Sequence, residues 1–191
     1  SVDLGLQGQS QNTIADGFDT LSNFQNLIGS SYADTLKGDA NTNIISGGAG
    51  DDVIYGIAGS NYLYGGLGND TFIGKLTGND FIDGESGNDK VDYSSLTSAN
   101  SITVNLGTTT TFNDENSVSQ TVYQIGINGG DSDYVKDIAI FEGSAGNDKF
   151  TVKSGNFELI GGAGNDTFDG ATFTGVKIDG GIGSDTVDYS S

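Results

Sequence analysis

The 191-residue chain contains no Cys, His, Met, Trp, Pro or Arg. Without Cys and His there are no disulfide staples, no thiolate or imidazole chemistry and no Cys/His zinc sites. Basic charge is nearly missing as well: seven Lys stand against 26 Asp and Glu, for a formal net charge of −19 and a pI near 4.1. That balance argues against nucleic-acid and anionic-membrane partners, which need a basic footprint. No apolar run approaches the ~18 residues of a membrane span, so membrane insertion is not expected. Leu, Ile, Val and Phe together make 47 of 191 residues, only just above the level at which a highly charged chain stays disordered. Something beyond an apolar core must hold the chain together. It opens on Ser1 with no signal-like segment and reads as a piece of something longer.

What the chain does have is Gly, 32 residues of it, more than twice the usual share and without a collagen triplet, which points to a backbone that turns often and regularly. The turns are periodic. From Gly29 the sequence reads GSSYADTLK, GDANTNIIS, GGAGDDVIY, GIAGSNYLY, GGLGNDTFI, GKLTGNDFID and GESGNDKVD, ending at Asp92. A second array, GSAGNDKFT, VKSGNFELI, GGAGNDTFD, GATFTGVKID and GGIGSDTVD, runs from Gly143 to Asp188. The residue before the last of every unit is apolar: Leu36, Ile45, Ile54, Leu63, Phe72, Ile82 and Val91, then Phe150, Leu159, Phe168, Ile178 and Val187. A Gly-rich turn followed by a short extended piece with one inward apolar side chain describes a coil that stacks on itself.

These units resemble the repeats-in-toxin (RTX) nonapeptide GGxGxDxUx, and GGAGDDVIY, GGLGNDTFI and GGAGNDTFD match it at every specified position. The resemblance implies an all-β fold, a right-handed parallel β-roll (β-solenoid) in which two nonapeptides make one turn and calcium lies between successive turns. Units one apart fall on opposite edges, so a metal column draws on every second unit. Asp34, Asp52, Asp70 and Asp89 form such a column in the first array, and Asp148, Asp166 and Asp185 in the second. The alternate units carry Asn43, Asn61 and Asp80, then Phe157 and Val176. One edge is therefore expected to be rich in ligands and the other poor, with Phe157 and Val176 packing against a neighbouring segment.

Calcium takes six to eight oxygens, more than one carboxylate per turn supplies, and a Gly-rich turn can aim carbonyls at the same point. By resemblance to the family, one ion would use Ser30, Tyr32, Asp34, Gly47, Ala49 and Asp52. The next would use Gly48, Gly50, Asp52, Gly65, Leu67 and Asp70, and a third Gly66, Gly68, Asp70, Gly84, Ser86 and Asp89. The second array offers Ser144, Gly146, Asp148, Gly161, Ala163 and Asp166, then Gly162, Gly164, Asp166, Gly180, Ile182 and Asp185. About five calcium sites follow, mostly on one edge, with a weaker sixth near Asn61 and Asp80. Asp16 either extends the first column or caps its first turn. Asp92 and Asp188 fit a structural role better than a ligand role, and Tyr93 and Tyr189 can cover an open end of the roll. With so many carboxylates and so thin a core, the metal-free chain is expected to be largely disordered, and calcium to be its folding switch.

A longer period overlies the short one. Gly65–Ser95 realigns with Gly161–Ser191 at an offset of 96, FDTLSNFQNLIGS from Phe18 aligns with SDYVKDIAIFEGS from Ser132 at an offset of 114, and VDLG at Val2 echoes VNLG at Val104. Four stretches result: lead-in strands over 1–28, a first roll over 29–95, an excursion over 96–142 and a second roll over 143–191. In the excursion, SITVNLG and SQTVYQIGI alternate like the strands of a hairpin, leading into YVKDIAIF, read as one strand capping the second array. No nucleophile elbow or Walker loop occurs, and DANTN from Asp39 lacks the Gly and Glu of an EF-hand. The chain is therefore expected not to be an enzyme. The family implies a calcium-binding structural or binding module of a type I-secreted bacterial surface or extracellular protein, adhesin-like, with neighbouring tandem units of the same chain as partners. The alternative is the non-catalytic region of a secreted hydrolase, toxin or polysaccharide-modifying enzyme, or a surface-layer protein.

Overall fold

The computed structural model describes residues 1–12 and 17–190. In chain order its strands are β1 (Val2–Asp3), β2 (Ser10–Asn12), β3 (Phe18–Thr20), β4 (Asn26–Ile28), β5 (Thr35–Lys37), β6 (Ile44–Ala49), β7 (Val53–Tyr55), β8 (Tyr62–Leu67), β9 (Thr71–Ile73), β10 (Phe81–Ser86) and β11 (Lys90–Asp92). They continue as β12 (Ile102–Asn113), β13 (Ser119–Ile127), β14 (Ser132–Lys136), β15 (Ile140–Glu142), β16 (Lys149–Val152), β17 (Glu158–Ile160), β18 (Thr167–Asp169), β19 (Lys177–Asp179) and β20 (Thr186–Asp188). One 3-10 turn covers Leu4–Leu6, and there is no α-helix among the described residues.

Successive nonapeptides deliver their strands alternately to two sheets, because each Gly-rich turn reverses the chain across the thickness of the roll. The eight-stranded sheet runs β1-β5-β7-β9-β11-β15-β17-β19, and the ten-stranded sheet runs β20-β18-β16-β12-β13-β14-β10-β8-β6-β4. Within these two sheets pairing is parallel except around β13, which is antiparallel to both β12 and β14, while β2 and β3 form a separate antiparallel pair. The register stacks like on like: Leu36 opposite Ile54, Ile54 opposite Phe72, Ile45 opposite Leu63, and Phe150 opposite Phe168. These inward residues make the core. The ladder from Leu36 to Phe168 is at most 2% exposed throughout, and the Phe150 and Phe168 rings stack at 5.0 Å. The last two rungs differ: Ile178 is half-buried and Val187 is 43% exposed, as β19 and β20 are the edge strands of their sheets among the described residues. The result is a β-solenoid of the β-roll type.

The two arrays form one continuous roll, joined unequally. In the eight-stranded sheet a single strand, β15, bridges β11 and β17, whereas three strands, β14, β13 and β12, lie between β10 and β16 in the other. YVKDIAIF is thus two strands rather than one. Asp137, with φ of 53°, turns the chain between β14 and β15, which enter different sheets and close the first array as well as opening the second. The far half of the β12–β13 hairpin, beyond a register shift between Asn105 and Thr110, lies over the outside of the ten-stranded sheet. There Phe112 stacks on Tyr134 (4.5 Å) and Phe81 (5.8 Å), and the Tyr64 hydroxyl donates to Glu115.

Candidate metal centre

Each turn-closing Asp spends one carboxylate oxygen on the turn before it. Asp52 Oδ1 accepts from the Asp34 N–H (2.7 Å), Asp70 Oδ1 from the Asp52 N–H (2.8 Å) and Asp89 Oδ1 from the Asp70 N–H (2.8 Å). The second array repeats this, with Asp148, Asp166 and Asp185 accepting from the N–H groups of Ile102 (2.6 Å), Asp148 (2.7 Å) and Asp166 (3.0 Å). The 18- or 19-residue spacing in the sequence therefore becomes a column of carboxylates running along the roll.

The second oxygen is the informative one. Oδ2 of Asp52, Asp70, Asp89 and Asp166 is buried and has no hydrogen-bond partner. A buried, unpaired carboxylate oxygen is costly. The ion pairs among the described residues use Lys90, Lys136, Lys149 and Lys177 with Asp83, Asp92, Asp137, Glu142, Glu158 and Asp169, and none reaches a column Asp. Burial accordingly pushes the carboxyls of Asp52, Asp89 and Asp166 up to about 6 in the metal-free roll and raises those of Asp70 and Asp148, against the lowering effect of the backbone N–H bonds.

The orphan oxygens point into space shaped by backbone. A Cβ added at Gly47 would meet both Asp52 Oδ2 and the carbonyl oxygen of Gly65 in the next turn, so these two acceptors face one small volume. Gly66, at φ 109°, lies so close to the Gly48 carbonyl oxygen that a side chain would collide with it. The two atoms nearest to the added Cβ at Gly47 are both oxygens, which suits a hard cation such as Ca²⁺. No group of three or more acidic side chains placed to hold a metal ion occurs among the described residues; a site here cannot be built from carboxylates alone. Several of the carbonyls named from sequence also join the turns: Ser30 O accepts from Ala49 N–H, Leu67 O from Gly50 N–H, Ser86 O from Gly68 N–H and Ile182 O from Gly164 N–H. A carbonyl oxygen has a second lone pair, so these bonds do not exclude a cation. The side chains of Tyr32, Leu67 and Ile182, 77%, 61% and 78% exposed, are not needed for such a role.

The structure corrects one expectation about the edges. Within each array one edge is acidic, but the two arrays do not share it. Asp34, Asp52, Asp70 and Asp89 precede strands of the eight-stranded sheet, whereas Asp148, Asp166 and Asp185 precede β16, β18 and β20 of the ten-stranded sheet. The cause is the excursion, which returns the chain out of phase. The first column is continued instead by Ala139, Phe157 and Val176, and Phe157 packs edge-on against Tyr123 and Phe141.

On the other edge of the first array, amides stand where the column has orphan oxygens. Asn61 Nδ2 donates to the carbonyls of Ala58 (3.1 Å) and Gly59 (3.3 Å) and to Asp80 Oδ1 (3.0 Å), while Asn43 Nδ2 donates to Gln25 O (2.7 Å) and Asp39 Oδ1 (3.2 Å). The Asn61–Asp80 position thus carries its own donor. Sequence reading missed the end of this ladder. Asp80 N–H donates to Asp133 Oδ1 (3.1 Å), 53 residues on, and the wholly buried Tyr93 hydroxyl donates to Asp133 Oδ2 (2.5 Å). Burial, with Asp80 beside it, raises the Asp133 carboxyl. Asp92 serves the closing turn, accepting from Ser94 and Lys90. Ser30 and Ser144 sit at the heads of the two columns and donate through N–H and Oγ to Asp34 and Asp148 Oδ2. Asp16 lies outside the described residues.

The RTX calcium-binding nonapeptide repeat matches the chain in four copies, over residues 25–54, 38–72, 76–95 and 142–174, more than half of its length. The chain belongs to this family. A comparison with curated proteins gave no match. As an RTX β-roll it carries calcium-binding repeats on a structural scaffold, and no helix among its described residues is long and apolar enough to cross a membrane.

Proposed function

We propose that this RTX module takes up about five calcium ions, three along Asp34–Asp89 and two along Asp148–Asp185, and that they drive its folding. The observation that carries this reading is the set of buried, unpartnered Oδ2 oxygens of Asp52, Asp70, Asp89 and Asp166, which none of the ion pairs among the described residues reaches. Bound calcium would supply the missing positive charge, with Gly48, Gly50, Gly65 and Leu67 and their counterparts as carbonyl donors. The chain's own part is to hold those oxygens on a stacked backbone that leaves no room for side chains at Gly47 and Gly66. The module belongs to an extracellular, type I-secreted, adhesin-like bacterial protein, kept unfolded at low cytosolic calcium and folding outside. The repetition of a super-unit at an offset of 96 favours a scaffold over a catalytic part.

Far-UV circular dichroism and light scattering across a calcium titration, beside magnesium and an EDTA control, test the proposal. A cooperative coil-to-β transition with compaction is expected with calcium and not with magnesium. A β spectrum that persists unchanged in EDTA would overturn the folding switch.

A further inference from the structure

The first column runs to Asp89 and there meets the seam, where β14 and β15 join the two arrays. The orphan oxygens along a column have a fixed direction. A Cβ added at Gly47, Gly65 or Gly161 would touch the Oδ2 of the Asp closing its own turn (Asp52, Asp70 or Asp166) and the first carbonyl oxygen of the following turn (Gly65, Gly84 or Gly180). Each Oδ2 therefore faces forward along the roll, while each Oδ1 faces back onto the N–H of the turn before.

Asp89 obeys this rule at a place where the repeat has ended. Its Oδ1 takes the Asp70 N–H, on the side of the third proposed ion. Its Oδ2 lies on the far side: the Cβ position at Gly84 touches this oxygen together with the carbonyl oxygen of Asp137. Asp137 thus stands where the first Gly of a further nonapeptide would, in a stretch, VKDIA, that has no Gly at all. Asp89 is wholly buried and its Oδ2 has no hydrogen-bond partner. At the heads of the columns the equivalent oxygens of Asp34 and Asp148 are satisfied by N–H and Oγ of Ser30 and Ser144. The seam turn offers no such donor; its Ala139 and Ile140 N–H groups both go to the Asp89 main-chain oxygen, each at 3.0 Å.

Charge supplies a second argument. The register puts Ala139 where the next column Asp would be, so that position brings no carboxylate. A substitute is at hand in Asp137, whose side chain is half-exposed and pairs at 3.1 Å with Lys136, which also holds Asp83 at 2.7 Å. Burial, and after it the like charges of Asp70, Asp137 and Asp83, raises the Asp89 carboxyl. A cation between Asp89 and Asp137 would relieve both burdens.

We propose that a further calcium ion sits between Asp89 and the seam turn, held by Asp89 Oδ2, the Asp137 carbonyl oxygen and the Asp137 carboxylate, with water filling the rest of its shell. The site goes beyond the five above because its second turn is not a nonapeptide, and it rests on the calcium reading of the column. An ion there would pin the first roll to the strands that lead into the second.

Native mass spectrometry at a free calcium that just fills the unaltered chain, with magnesium run beside it to count non-specific adducts, tests the site. Asp137→Gly keeps the left-handed turn, which Gly adopts freely, and removes the carboxylate. It should lose one ion, and calorimetry should find that ion bound at least about tenfold more weakly. Asp89→Asn keeps an acceptor for the Asp70 N–H and should cost two ions, where a column ending at Asp89 would cost one. Circular dichroism in saturating calcium verifies that both variants are folded. An unchanged count in Asp137→Gly, or a single ion lost from Asp89→Asn, would overturn the seam site and leave the five-site reading standing; an unaltered chain that binds no calcium would overturn both.

Discussion

Asp70 and Asp185 occupy equivalent turns but different places in their columns, and this separates a shared metal column from independent turn carboxylates. Asp70 lies between Asp52 and Asp89, so in the proposed arrangement it belongs to two ions; Asp185 ends its column and belongs to one. Replacing either by Asn keeps a side-chain oxygen that can accept the preceding N–H and removes the charge. Asp70→Asn should therefore cost two calcium ions in native mass spectrometry and Asp185→Asn one. At free calcium 100-fold above the dissociation constant, each bound ion contributes about 2.7 kcal/mol by mass action. The loss is then about 5 kcal/mol for Asp70→Asn and about half of that for Asp185→Asn, against a total stability of about 5–15 kcal/mol for a domain. Denaturant unfolding at fixed calcium would show the first variant with a sharply lowered midpoint and the second with a modest one. Equal losses from the two variants, or an unchanged ion count in both, would refute the shared column.

Three further outcomes follow from the same geometry. In EDTA, the carboxyls of Asp52, Asp89 and Asp166, raised by burial to about 6, favour the folded roll when protonated. Residual β structure should therefore grow as pH falls from 7 towards 4 and be lost as pH rises through about 6, whereas apparent calcium affinity should fall with pH over the same range; circular dichroism that is flat with pH would contradict this. Phe72→Ala, at a fully buried rung, should destabilise the calcium-loaded roll by about 3–5 kcal/mol, and Val187→Ala at the open end by much less, as measured by urea unfolding. Tyr93→Phe strands a buried carboxyl at Asp133 and should cost about 1–3 kcal/mol, while Tyr189→Phe should stay within about 0.5 kcal/mol; equal effects would remove the seam from its structural role.

The nonapeptide period made the rolls legible because its geometry is local. One apolar residue per unit, from Leu36 to Phe168, is what two facing sheets need, and Asp at every second turn is what one edge needs. The seam was not legible for the opposite reason. Asp133 meets Asp80 and Tyr93 across 53 and 40 residues, with no period to announce it. YVKDIAIF looked like one strand because its apolar alternation runs through Asp137, where only the backbone turns. The edge assigned to the second column depended on a count of strands, three in one sheet against one in the other, that composition does not record. The orphan oxygens of Asp52 and Asp166 add a physical reason for the metal that the motif alone states only by analogy.

The phase shift at the seam bears on the shape of the whole rod. Cations drawing turns together along one flank would shorten that flank and curve the solenoid, like a strip tightened on one side. Here the first column tightens one flank and the second the other, so the two bends oppose each other. A row of such super-units would stiffen on taking up calcium while keeping a straight axis.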